Sequence, residues 1–148
     1  MKTLRAMFCS LLLALPVAAA VDSPTAPAPI LPGQLKFANA PGLAGVEVAQ
    51  VLGAPDKAAL YLQRVRLARG AVIPPHTHPD ERYTTVISGT IYVGFGAAVD
   101  ESKAVAVPAG AIYVAPAGVP HYVLAKDGEA VYQEAGFGPT GVTLVGRN

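Results

Sequence analysis

The chain is nearly without cysteine. Its one thiol, Cys9, lies inside an N-terminal stretch that reads as a secretory signal. Lys2 and Arg5 form a charged start, residues 6–17 an apolar run shorter than the about 20 residues a membrane-spanning helix needs, and residues 18–20 three alanines suited to cleavage before Val21. Residues 1–20 are therefore expected to leave an exported chain, periplasmic or secreted, without stable membrane insertion. The remaining 128 of the 148 residues hold no cysteine, so an oxidising compartment adds no disulfide. Burial alone must hold the fold, and a domain of this size buries roughly two-thirds of its unfolded surface.

Strong charge is also missing. Without Lys2 and Arg5, 9 basic residues face 10 acidic ones, which leaves no electrostatic footprint for nucleic acid. No basic run suggests a lipid surface. Amphipathic helical stretches of useful length are absent too, which excludes a parallel α/β fold with its crossover helices. Histidine is scarce, with three residues in the whole chain: His76, His78 and His121.

What is present is proline, glycine and alternation. Residues 21–34 carry Pro24, Pro27, Pro29 and Pro32 among small residues, a composition that favours extended, solvated backbone and predicts a tether. A short docking strand over 35–37 is allowed at its end. From residue 35 to 148 the pattern is that of one β domain. Strands are expected over 46–52, 60–67, 71–76, 83–88, 90–95, 104–107, 112–115, 121–125, 130–134 and 142–145. Most of the remaining glycines and prolines fall at the boundaries between them. Residues 100–103 read as a polar loop or a single helical turn. Short strands with a turn every 8–12 residues predict an all-β, antiparallel sandwich or barrel.

His76 and His78 stand two apart, so on a strand their imidazoles share a face and can offer two nitrogens to one ion. A third ligand must come from elsewhere, and His121 begins a strand after the turn Pro116-Ala117-Gly118. The stretch Gly70, five residues, His76-Thr77-His78, then Gly89 resembles the first motif of the cupin superfamily. The stretch Gly110, five residues, Pro116-Ala117-Gly118, two residues, His121 resembles its second, with Ala125 where that motif ends in asparagine. The resemblance implies a small antiparallel jelly-roll barrel. It further implies one divalent transition metal (Fe, Mn, Zn, Ni or Cu) held by His76, His78 and His121, and pairing of two chains as a homodimer.

Many cupins add a glutamate ligand seven residues before the closing glycine, and here that position is Arg82. Strict alternation puts Arg82 on the inward face with Thr84 and Val86 and turns Glu81 outward. A one-residue slip or bulge would bring Glu81 inward as a fourth ligand. In the three-histidine case Arg82 pairs with Glu81 or Asp80, or receives an anionic substrate. Glu81 and Arg82 are the candidate catalytic residues. Tyr83, Tyr92, Tyr113, Tyr122 and Tyr132 are expected in the core, Gln133 at the surface, and Arg64 and Arg66 on a solvated outer face.

Three imidazoles leave coordination positions open, as a catalytic or ligand-binding site requires. The favoured reading is an exported metalloenzyme of the dioxygenase type acting on a small organic molecule. Lewis-acid isomerase or lyase chemistry, and metal-assisted hydrolysis or decarboxylation, stand beside it. The alternative is a cupin that binds a small molecule or metal without chemistry, or whose metal is only structural.

Overall fold

A computed structural model describes residues 28–146. The expected signal, and residues 21–27 of the expected tether, lie outside the described residues. Residues 28–34 are exposed and include a single 3-10 turn, Pro32–Gln34. Among the described residues no helix is long and apolar enough to cross a membrane.

The rest is strand and turn. In chain order these are β1 (Ala38–Asn39), β2 (Val46–Leu52), β3 (Leu60–Leu67), β4 (Val72–Thr77), β5 (Arg82–Ser88), β6 (Thr90–Phe95), β7 (Val105–Pro108), β8 (Ile112–Ala115), β9 (His121–Leu124), β10 (Ala130–Phe137) and β11 (Thr143–Leu144). They form two sheets, ordered β1-β2-β3-β10-β5-β8 and β11-β4-β9-β6-β7. All pairings are antiparallel. The two sheets face each other as a jelly-roll barrel, the architecture the sequence pattern and the motifs predict. Residues 100–103 form a turn, with Asp100 Oδ1 accepting from the Ser102 N–H and hydroxyl.

The inner faces make one core. The first sheet contributes Val46, Val65, Leu67, Val86, Ala130 and Tyr132, and the second Ile73, Ile91, Val93, Val107 and Val123. Leu67, Ile91 and Ala130 are fully buried. These side chains come from a single phase of each strand, because alternate residues point to opposite faces.

On β3 that phase is Tyr61, Gln63, Val65 and Leu67, while Leu60 is half exposed. The apolar residues of β3 change phase midway, Leu60 and Leu62 first, then Val65 and Leu67. The pairing with β10, which runs from Ala130 opposite Leu67 to Phe137 opposite Leu60, keeps one register throughout and puts Leu60 outside. On the outer face Arg64 donates to Gln133, and Arg66 pairs with Glu47 and lies over the Phe37 ring. Tyr122 and Tyr132 are buried, but Tyr83 is half exposed and Tyr92 lies on the outer face, hydrogen-bonded to Asp127. Both have the outward phase of their strands, which overrides the general tendency of aromatics to pack inside.

Candidate metal centre

The proline pair Pro74-Pro75 sets the inward phase of β4. Ile73 and His76 both face the interior although they stand three apart, which strict alternation forbids. In the β4–β9 ladder Ile73 pairs with Val123 and His76 with His121, so three steps on β4 match two on β9. The extra residue is a bulge, at a place where two residues without an N–H have no ladder bond to lose. It switches the inward phase from Ala71 and Ile73 to His76 and His78, and sets His76 opposite His121. His121 is returned to the sheet by a turn through Gly118, whose φ of 71° is strained for any side chain. The Gly118 N–H donates to the His78 carbonyl at 2.8 Å, tying this turn to the first ligand strand.

The three imidazoles meet inside the barrel. All are buried, with exposures of 4% or less, and their ring centroids lie 4.2–5.2 Å apart. Each Nδ1 reaches a backbone carbonyl: His76 to Pro74 at 2.8 Å, His78 to Gly141 at 2.7 Å, and His121 to Val119 at 3.1 Å. A carbonyl only accepts, so each Nδ1 carries the hydrogen and each Nε2 keeps its lone pair. One ligand atom from each ring lies within 4.8 Å of the others. The His78 Nε2 is buried and has no hydrogen-bond partner. Burial lowers His76 and His78 to about 4 and lowers His121 as well, so at neutral pH the rings are in the form that donates to a metal. Three oriented lone pairs, one of them unpaired and buried, fit a divalent transition ion.

The structure does not bring Glu81 to this centre. Glu81 is exposed, and its carboxylate accepts a hydrogen bond from the Tyr83 hydroxyl on the outer face. The expectation of a fourth ligand required a slip near Glu81. The β5–β10 ladder has its irregularity at the other end of β5, where Ser88 and Val86 face the adjacent residues Val131 and Tyr132. Alternation from Val86 back to Arg82 is unbroken, so Arg82 turns inward, 5% exposed, beside Thr84.

Arg82 does not pair with Glu81 either. Its Nη1 donates to Glu134 Oε2 at 3.0 Å and its Nη2 to Thr140 Oγ1 at 3.0 Å, and its Nε lies 3.9 Å from Asp80 Oδ1. Asp80 accepts further bonds from Tyr61 Oη at 2.6 Å and from the Thr140 hydroxyl. Burial, helped by that bond to Asp80, pushes the Tyr61 phenol up to about 12. Gln63 Nε2 donates to the same Glu134 oxygen as Arg82, at 2.5 Å. Gly136 makes this packing possible, because a Cβ there would collide with the Tyr61 hydroxyl and the Asp80 carboxylate.

Beside this network is a cavity of about 360 Å³. His76, His78, Arg82, Glu134 and Gln63 form its polar side, and Val46, Val65, Ile73, Tyr132 and Val142 are among its apolar walls. The sequence reading missed Glu134, Gln63 and Tyr61. A signal for each exists: Glu134 has the phase of Ala130 and Tyr132, and Tyr61 and Gln63 have the phase of Val65 and Leu67. Gln133, expected at the surface, has the opposite phase and lies on the outer face with Arg64.

The family described as Cupin domain matches residues 63–133, a span that contains all three histidines, Arg82 and the first inward residues of β10. Among curated proteins, germin-like protein 5-1 of Oryza sativa subsp. japonica is 33% identical over 87 residues, covering 55% of this chain and 38% of that protein. The chain thus spans well under half the length of that relative. Among solved structures, the polyketide cyclase RemF from Streptomyces resistomycificus superposes with a TM-score of 0.69 at 17% identity, over 82% of this chain and 87% of that one. Salicylate 1,2-dioxygenase from Pseudoaminobacter salicylatoxidans, in complex with gentisate, superposes with a TM-score of 0.58 at 15% identity, over 70% of this chain and 30% of that one. At these identities the structural likeness establishes the fold.

Proposed function

Because the chain belongs to the cupin superfamily, we propose that it is a metal-dependent enzyme acting on a small organic molecule in the barrel cavity, with dioxygenase-type oxidoreduction the favoured reaction. The observation that carries this reading is the convergence of three neutral, Nδ1-anchored imidazoles, two of which, His76 and His78, line that cavity. His76, His78 and His121 would hold the ion through Nε2 and leave coordination positions free. A bound ion would supply Lewis acidity or, as iron, the redox chemistry of O2.

The chain's own residues do the rest. The carbonyls of Pro74, Val119 and Gly141 fix the three rings in one tautomer. Arg82 ties β5 to β10 and to the 140–141 loop. The apolar walls limit water around the reacting centre. Export is part of the proposal and rests on the signal-like residues 1–20, not on the fold.

Oxygen uptake tests this reading. Iron-loaded protein should consume O2 with at least one member of a panel of small phenols, alcohols and carboxylic acids, and His78→Ala should consume none while keeping its far-UV spectrum. If iron-loaded protein bound panel members without consuming O2 or converting them, the non-enzymatic binding reading would replace this one.

A further inference from the structure

The residues around the cavity also bear on what it admits. With Arg82 on its wall, the sequence alone allows the site an anionic substrate. The hydrogen bonds point the other way. Both terminal nitrogens of Arg82 are engaged, on Glu134, Thr140 and the Gly141 carbonyl. A guanidinium holds an anion well when two parallel N–H groups are free for it; here Glu134 and Thr140 occupy the terminal fork, and the Nε, which makes no hydrogen bond, lies 3.9 Å from the Asp80 carboxylate. The network also holds two carboxylates, Asp80 and Glu134, against one guanidinium. An anion placed against it meets net negative charge at short range, where little water screens it.

Glu134 has capacity to spare. Arg82 and Gln63 both donate to Oε2, and among the described residues no hydrogen bond reaches Oε1. A carboxylate accepts at two oxygens, so one is left on the cavity wall for a donor from a ligand. The rest of the lining includes aliphatic surface from both sheets, Val46, Val65 and Ile73, with Val142 from the closing loop. The cavity, about 360 Å³, stands near the small end of the about 300–1,000 Å³ typical of ligand pockets.

We infer that the cavity takes a small, uncharged, mostly apolar alcohol or phenol, whose hydroxyl donates to Glu134, and that it discriminates against carboxylates of the same shape. Glu134 is then a specificity-determining residue. A site built to accept a hydroxyl's hydrogen bond rejects an analogue that lacks the donor strongly, because its own polar group is left buried and unpaired. This inference rests on the proposed function only in that both use the same cavity. Glu134 reads the ligand whether or not an ion is bound.

Calorimetry with three probes that share a para-ethylphenyl body tests it: para-ethylphenol, its methyl ether and para-ethylbenzoate, each titrated into the full chain as purified and again after chelation. The phenol should bind at least tenfold more tightly than the ether and the benzoate in both preparations. Glu134→Gln should shrink the phenol-over-ether preference at least fivefold, because an amide oxygen accepts less strongly than a carboxylate. If Glu134→Gln fails to fold for want of a partner for Arg82, the ether comparison on the unmodified chain carries the test.

Equal affinity for phenol and ether, or tighter binding of the benzoate after chelation, overturns the inference. A phenol preference present as purified but lost on chelation also overturns it, by assigning the hydroxyl to the metal. A preference kept in protein that takes up no metal even on reconstitution sustains the inference while removing the proposed metal function.

Discussion

At one end of the barrel, β3, β5 and β10 carry Val65 and Leu67, Val86, and Ala130 and Tyr132 inward. A few residues along the same strands, in the same phase, they carry Gln63, Arg82 and Glu134. On the opposite sheet, β4 passes from Ala71 and Ile73 to His76 and His78, and β9 runs from Val123 back to His121. The two ends thus share backbone, topology and burial and differ in what the inward positions hold. The apolar end follows the simple rule that buried side chains are hydrophobic. The polar end breaks that rule on five strands at once; the terminal nitrogens of Arg82, the Gln63 amide and one oxygen of Glu134 are hydrogen-bonded there, while the His78 Nε2, the Arg82 Nε and the Thr84 hydroxyl are buried without a partner. Such a concentration of buried polar groups lowers stability relative to an apolar core unless each is satisfied. That makes the polar end the functional end.

Mutations can break this contrast from either side. The largest expected effect on stability is at the polar end. Arg82→Ala leaves Glu134 and Asp80 buried without their cation and should cost about 3–5 kcal/mol, read as a drop in the urea midpoint. Leu67→Ala at the other end removes a fully buried side chain and should cost about 3 kcal/mol, with metal affinity unchanged. If Leu67→Ala reduced metal affinity as much as it reduced stability, the ends would not be separable.

Acid titration sharpens the comparison. In the folded, metal-stripped protein, burial lowers His76 and His78 to about 4, while in the unfolded chain they sit near 6.5. Between those values the unfolded chain binds more protons, so stability is full above pH 6.5 and falls as pH drops toward 4, after which these groups add no further loss. Replacing His76 and His78 with Gln should flatten urea-derived stability across that window. An unchanged slope would mean that other groups set it. The smallest effect is expected at Glu81, which is exposed: Glu81→Gln should change stability by no more than about 0.5 kcal/mol and leave metal affinity as it was. A tenfold loss of metal affinity would return Glu81 to the centre.

Much of this was legible before any coordinates. Strand positions follow from alternation between Gly- and Pro-rich turns, and β2, β3, β6 and β8 begin and end where that pattern predicts. The histidines are legible because a His-x-His pair and a third His after Pro-x-Gly have few other reasons to occur together. Arg82 inward and Glu81 outward follow from period two once no slip intervenes.

The rest depends on contacts between residues far apart in the chain. Gln63 and Glu134 stand 71 residues apart, and neither alone looks like part of a site. They meet because β3 and β10 pair in one register. The mixed phase of Leu60, Leu62, Val65 and Leu67 conceals which face of β3 is inner until β10 selects it. The bulge at Pro74-Pro75 is equally hidden, since two prolines signal irregular backbone but not a change of phase.

The central claim is that the three rings, and no fourth side chain, hold one ion. Elemental analysis of the purified protein beside His121→Ala, with far-UV spectra confirming that both are folded, tests it most directly. The account predicts about one transition-metal ion per chain in the unmodified protein, almost none in His121→Ala, and an undiminished content in Glu81→Gln. Equal metal in the unmodified protein and His121→Ala, or none in either after reconstitution, would contradict it.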